Sequence, residues 1–386
     1  MDADHPRGVA RFFDEVEDPR IHRTKRHALE DILMIALVAI LGGADAWTEV
    51  EAFGRAKVEW FARFLKLPHG IPSHDTFGRV FARLDPAPLS RCLARWVEHL
   101  STALNVKTKT IAIDGKTLRA SGDAANGAAA LHLLSAWSHE ARLVIGQLAC
   151  DGKSNEITAI HELIEMLDIA GCVITVDAMH TQKNIAEAIL DRESDYVMAL
   201  KDNQPTLCND VALMIAEAEE APRSARFDLD DHTTEEDSHG RIEQRHYTTL
   251  TLDKKRTWRI HPDRWPGLNA IGRIERQRTD KTTGETTMQI VYYLMSQAMD
   301  IRRFADAVRG HWGIENSLHW VLDVTFNEDR CRCRKDHSHE NFALMRKLAL
   351  NLLDQNRKRC KLSIRAQRLK IGWNIDFIQT LLNPEK

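Results

Sequence analysis

The sequence predicts an α/β protein: a mixed sheet flanked by helices, with a helical N-terminal domain and a β-rich insertion. Three observations carry this expectation. Apolar residues recur at helical spacing through residues 1–105. From 106 to 221, short runs rich in β-branched residues alternate with amphipathic stretches. Between 222 and 299 the helical pattern gives way to strand-like runs, and it returns at Ile301.

The chain has 386 residues, more than one ordinary core accommodates, so two or three structural units are expected. The boundaries read as a helical domain at 1–105 and a larger domain at 106–386 that contains the insertion at 222–299. Hydrophobic residues make up 43% of the chain, and no apolar run approaches the roughly 20 residues needed to cross a membrane. The polar start Met1-Asp2-Ala3-Asp4-His5-Pro6 is unlike a signal peptide, so a cytoplasmic protein with no membrane partner is expected. Seven cysteines, an odd number without framework spacing, fit reduced thiols. A zinc site at Cys331-x-Cys333 would need further ligands, and only His337 and His339 lie close by in the sequence. The net charge of −3 is unevenly spread: 9 basic against 18 acidic residues in 106–221, and 17 against 11 in 300–386. An acidic middle suits a site that holds divalent cations, and a basic end suits phosphates.

In the N-terminal part, the apolar run 29–41 reads as a buried helix ended by Gly42-Gly43, followed by an amphipathic stretch at 47–67. Pro68 to Pro72 forms a turn, after which Ser73 is a plausible N-cap with Asp75 in the first turn. That helix places Phe77, Val80, Phe81 and Leu84 on one side and Arg79 and Arg83 on another. Helix, tight turn and basic helix is the pattern of a DNA-reading helix-turn-helix, and equally of a small bundle with surface arginines.

The middle reads as strand (109–114), a hairpin (131–137 and 142–149), helix (155–167), strand (171–176), helix (181–190), strand (196–200) and helix (205–220). Asp114 and Asp177 stand at the ends of the first and fourth strands. In open α/β sheets, ligands gather where the strands end. This is the element order of the RNase H-like fold. In the insertion, 230–237 reads as an acidic loop, with strands at 242–252, 257–260, 268–275 and 287–295.

From Asp300 to Asp323 a helix is expected on which His311, Glu315 and His319 share a face at i, i+4 and i+8. Two aspartates at strand ends and a glutamate on a helix can hold two divalent ions roughly 3.5–4 Å apart, the arrangement that serves in-line displacement at a phosphodiester. Magnesium suits such oxygen donors.

Several motifs together resemble the H-repeat-associated insertion-sequence transposases, a group within the DDE class. They are Ile71-Pro72-Ser73-His74-Asp75-Thr76-Phe77, Ala112-Ile113-Asp114-Gly115-Lys116 and Val176-Asp177-Ala178-Met179-His180-Thr181-Gln182. They continue with Leu200-Lys201-Asp202-Asn203-Gln204, His239-Gly240-Arg241-Ile242-Glu243 and Arg309-Gly310-His311-Trp312-Gly313-Ile314-Glu315-Asn316. The resemblance spans essentially the whole chain. It implies an RNase H-like catalytic core behind an N-terminal transposase-associated domain, two Mg²⁺ or Mn²⁺ ions, and a catalytic, metal-binding triad of Asp114, Asp177 and Glu315. It also implies terminal inverted repeats and target DNA as double-stranded partners, strand cleavage followed by transfer, and a homodimer that pairs two element ends. Broader relatives carry Tyr, Arg and Lys helpers where this chain has Val308, His311 and Leu322. Arg309 is the nearby candidate to supply a phosphate contact in their place.

Further candidate DNA contacts are Arg79, Arg83, Lys116, His180, Lys201, Asn203, Arg241, His311 and His319. Each has a plain structural alternative: Lys116 as a surface turn residue, His180 as a helix cap, Arg241-x-Glu243-x-Arg245 as a cross-strand charge ladder. Two other functions share these residues: a catalytically silent DNA-binding relative, and a stand-alone metal-dependent nuclease that cuts without joining.

Overall fold

The computed structural model describes residues 11–21, 25–103, 106–123, 127, 129–150, 155–201, 203–221, 227–238, 240–253, 259–260 and 265–382. The N-terminal residues 1–6, the motif residues Asp202 and His239, and residues 257–258 of the expected strand at 257–260 lie outside these. The nine strands are β1 (Thr110–Thr117), β2 (His132–Ser138), β3 (Leu143–Cys150), β4 (Val173–Val176), β5 (Asp195–Leu200), β6 (Asp228–Ser238), β7 (Arg241–Thr251), β8 (Ala270–Asp280) and β9 (Thr286–Met295). Their order is β3-β2-β1-β4-β5-β9-β8-β7-β6. β2 and β3 are antiparallel, while β1, β4 and β5 run parallel. The first five positions in the sheet are thus 3-2-1-4-5, with the antiparallel hairpin beside the parallel strands. The mixed sheet, its helices and the helical N-terminal region are as the sequence predicts.

The chain forms two compact units. One comprises Met1–Thr108, Gly115–Leu167 and Ile314–Lys386; the other comprises Lys109–Asp114 and Asp168–Gly313.

In the first unit, helices α1 (Leu29–Leu41), α2 (Trp47–Ala56), α3 (Val58–Phe61), α4 (His74–Arg83) and α5 (Pro86–Ala103) precede β1. Every residue of α1 from Asp31 to Leu41 is buried, as its unbroken apolar run requires. It stops at Gly42, where a Cβ would lie 2.3 Å from the Phe53 ring, and Gly43 follows at φ 109°. The amphipathic stretch expected at 47–67 is divided between α2 and α3 at Lys57. Ser73 occupies the N-cap position of α4, but its hydroxyl faces Thr76 Oγ1 at 3.2 Å and makes no cap bond. Near the C-terminus the 23-residue helix α11 (Ser338–Cys360) packs against α1, α4, α5 and β3. Its Asn341, fully buried, donates to the carbonyls of Phe81 and Leu84 at 2.8 and 2.9 Å, satisfying the end of α4. Phe342 of α11 packs on Trp47, which also stacks on Phe77 and Phe81. All seven cysteines are reduced, and His339 directs Nε2 to the Cys331 carbonyl at 3.0 Å.

In the second unit, β9 pairs antiparallel with β5, and β8, β7 and β6 follow it as a meander. The insertion therefore prolongs the parallel sheet instead of forming a loop excursion. The acidic segment 230–237, expected as a loop, is strand β6, paired with β7 from Asp228↔Thr251 to Ser238↔Arg241. A cross-strand cation favours this placement: Arg245 of β7 lies 3.2 Å from Glu236 of β6. A charged edge strand also resists pairing with other chains. Helix α9 (Ile301–Gly313) packs on this sheet through Phe304, whose ring meets Tyr247 and Tyr293 edge-on. Gly272 leaves room for that ring; a Cβ there would stand 2.6 Å from Phe304 Cζ.

Candidate active site

In the second unit, the pairing of β1 with β4 sets the site. The register matches Ile113 with Val176, so Asp114 and Asp177 are the next residues on two adjacent parallel strands. The apolar residues before them are buried, whereas both aspartates are partly accessible. Asp177 follows the last residue of β4, at the edge where loops leave the sheet. The strand end expected at Asp114 is not seen: β1 runs on to Thr117, with Asp114 inside it where the buried part of the strand stops.

Asp177 is held by the turn on its C-terminal side. The chain bends through a 3-10 helix, Ala178–His180, and His180 returns to the carboxylate. Its backbone N–H donates to Asp177 Oδ1 at 3.2 Å, and its ring Nδ1 lies 2.6 Å from the same oxygen. His180 is 1% exposed, so this pairing fixes the carboxylate's rotamer against a rigid partner. Burial alone would raise the Asp177 carboxyl, yet the His180 hydrogen bonds and the charges of His180 and His311 hold it below the usual carboxylate value. His311, on α9, has Nδ1 3.1 Å from Thr175 Oγ1 of β4. Asn203 donates its amide to the Ala178 carbonyl, bracing the same turn, while Lys201 is exposed.

On the far part of this sheet Glu243 and Arg245 take part in a cluster of opposite charges. Glu243 is surrounded by Arg245, Arg276 and Arg278 at 2.9, 3.3 and 3.5 Å, while Arg241 is exposed. Arg276 also lies over the Trp312 ring, 4.0 Å from its centroid. Arg309 is ion-paired with Glu236.

Glu315 belongs to the first unit. The helix expected across 300–323 is interrupted: α9 ends at Gly313, Ile314–His319 is a π-helix, and α10 (Trp320–Thr325) follows. A π-turn changes the angle between successive side chains, so the uniform i, i+4, i+8 face expected of His311, Glu315 and His319 does not apply. Within it Ile314 and Leu318 are buried, Glu315 is exposed and His319 is half-buried. Such π-segments recur at functional positions. Lys116 is not a surface turn residue: its ammonium lies among Asp323, Glu328 and Asp329. Arg79 and Arg83 are exposed on α4.

The donors at the strand ends are carboxylate oxygens, which suit magnesium or manganese. Among the described residues, no three His, Cys, Asp or Glu side chains are gathered as a ready metal cage. No helix among them is long and apolar enough to cross a membrane. Sequence reasoning did not find the His180–Asp177 clamp as such, the Thr175–His311 contact, or the buried pair His132–Glu156 behind β1. Only the proximity of His180 to Asp177 in sequence hinted at the first; the others join residues 136 and 24 positions apart.

Comparison with known proteins shows the family. Residues 10–97 match the DDE_Tnp_1-associated family, and residues 106–352 match the transposase DDE domain. The chain is 36% identical over 375 residues to "Putative transposase YncI" of Escherichia coli O157:H7, covering 96% of this chain and 93% of that protein. It is 37% identical over 363 residues to "H repeat-associated putative transposase YhhI" of Escherichia coli strain K12, covering 92% of each. A piggyBac transposase solved in a synaptic complex with hairpin DNA aligns with all of this chain and 80% of that one, at 11% identity and a TM-score of 0.44. The chain belongs to the DDE transposase family, with the associated domain at its N-terminus.

Proposed function

We propose that the protein is an active insertion-sequence transposase that cleaves DNA at terminal inverted repeats and joins the freed 3′-hydroxyl to target DNA. The observation that carries the reading is the β1–β4 register, which puts Asp114 and Asp177 one residue beyond the matched pair Ile113–Val176 on neighbouring segments. In this reading both aspartates, with Glu315 as the third acid, would hold two Mg²⁺ or Mn²⁺ ions. Bound divalent ions would supply charge neutralisation at the phosphate through both displacements. The chain's own contribution is preorganisation. His180 keeps Asp177 ionised and in one rotamer, and Thr175 orients His311 beside it. Glu315 sits on a π-turn whose apolar neighbours anchor it, which leaves its carboxylate exposed to DNA and metal. The exposed Arg79 and Arg83 of α4 make phosphate contacts at the element end, and a homodimer pairs two such ends.

A labelled terminal-repeat oligonucleotide, Mg²⁺ and a supercoiled target test the reading. Joined product is expected. Cleavage without joining would indicate a nuclease, and a shifted band without chemistry a silent DNA-binding protein. Glu315→Gln is expected to abolish cleavage with DNA affinity retained; cutting at the wild-type rate would remove Glu315 from the site.

A further inference from the structure

Just beyond Asp114, strand β1 is gripped on both of its faces. Strand alternation sends Gly115 and Thr117 one way and Lys116 the other. On the first face stands His132, with Nδ1 2.8 Å from Thr117 Oγ1 and Nε2 where a Gly115 Cβ would come within 2.4 Å. His132 is ion-paired with Glu156, and both side chains are buried. On the second face the Lys116 ammonium meets Asp323, Glu328 at 2.9 Å and Asp329 at 3.9 Å. The lysine side chain is 12% exposed and that of Glu328 is 1% exposed. Arg119 covers Asp329 from outside, with Nε 3.3 Å from Oδ2.

These carboxylates belong to the stretch C-terminal to Glu315. Asp323 is in α10, which continues directly from the π-turn Ile314–His319, and Glu328 and Asp329 form the 3-10 turn behind it. An amine that serves a DNA phosphate must offer its N–H groups to solvent. That of Lys116 is enclosed by anions of its own chain.

We infer that Lys116 is a positioning residue: its ammonium fastens the strand end just after Asp114 to the helical segment that bears Glu315. The inference rests on the proposed catalytic roles of those two acids. Ionic contacts give the fastening direction as well as strength, since an ammonium among three carboxylates has few alternative seats. The apolar alternative would let the strand slide. The geometry also explains a lysine at a position that, two residues after the first acid, was a candidate DNA contact: the charge is neutralised inside the protein.

Removing Lys116 alone strands the buried Glu328, so the test uses charge-balanced and conservative variants of the full chain: Lys116→Met with Glu328→Gln, and Lys116→Arg. Thermal melting first establishes that each is folded. For the double variant, affinity for the labelled terminal repeat and its salt dependence are expected to stay at wild-type values. The Mn²⁺ concentration for half-maximal cleavage should rise at least tenfold, and kcat should fall with KM for DNA unchanged. Amide exchange across 314–325 should rise at least tenfold, and Lys116→Arg should recover most of each effect. A weakened DNA affinity with a salt slope reduced by about one would overturn the inference and make Lys116 a phosphate contact. Unchanged exchange across 314–325 would overturn it as well. If the wild-type protein does not cleave, the proposed function fails; exchange across 314–325 still decides whether the fastening exists.

Discussion

Replacing Gly115 by alanine tests how tightly the first acid's strand is positioned. A Cβ there would lie 2.4 Å from His132 Nε2, 3.1 Å from its Cε1 and 3.3 Å from Glu156 Oε1. Ordinary contact begins near 3.4 Å, so about 1 Å must be found by moving either strand or ring. The ring resists, because Nδ1 is held by Thr117 and Nε2 by buried Glu156. The strand must therefore yield, and Asp114 is bonded directly to it. Overpacking of this kind costs about 1–3 kcal/mol. A displacement near 1 Å at a reacting centre costs about 10²-fold in rate. Gly115→Ala is thus expected to lower single-turnover cleavage by about two orders of magnitude and to reduce stability by a few kcal/mol, with DNA affinity retained. The decisive measurement is a double-mutant cycle with His132→Ala, read by cleavage rate. If the clash is the cause, the alanine at 115 costs much less when the imidazole is gone. An equal cost in both backgrounds, or a wild-type rate for Gly115→Ala, would refute the reasoning.

His180→Ala should free the Asp177 carboxylate to rotate and raise the Mn²⁺ requirement for cleavage about 10–100-fold, the usual effect of losing a partner of a metal-binding group; an unshifted Mn²⁺ titration would show that the clamp is idle. The Asp177 pKa is depressed, so its stabilising contribution is present at neutral pH and is lost as pH falls through the folded value; His180→Ala should flatten the acid limb of a stability–pH profile. Burial pushes the Glu340 carboxyl up to about 7, which makes the folded state bind more protons than the unfolded one. Stability is therefore expected to fall as pH rises from about 4.5 to 7, by up to about 3 kcal/mol, and denaturant melts of Glu340→Gln should lack that decline. Replacing Arg79 and Arg83 together by alanine should weaken terminal-repeat binding and reduce the salt slope by about 0.9 for each phosphate no longer neutralised; an unchanged slope would move recognition elsewhere, for instance to the basic stretch 357–370.

Local pattern sufficed for most of the elements and for the buried runs that precede Asp114 and Asp177. The apolar run of α1, the β2–β3 hairpin and the alternation that gives β4, α7 (Lys183–Asp191), β5 and α8 (Pro205–Glu220) are legible in the sequence because burial on one face imposes a period. Asp114 and Asp177 stand out in the sequence because each follows a short apolar run, and Glu315 through the motif around it; that the three act together is the proposal made above. The acidic stretch 228–238 was not. Composition reads it as a loop, but its strand pairing depends on arginines of β7 and on hydrogen bonds to a neighbour, which no local pattern announces. The π-turn at Ile314–His319 was likewise hidden, since a sequence carries α-helical spacing through it without a break. Charged side chains show the division most clearly. Lys116, Arg309 and Arg245 look alike in a sequence, as basic residues near a candidate DNA site. The fold alone assigns Lys116 to Asp323 and Glu328, and Arg309 and Arg245 to Glu236. The physical reason is that burial periodicity is a property of neighbours along the chain, whereas an ion pair is settled by whichever charges folding brings within about 4 Å.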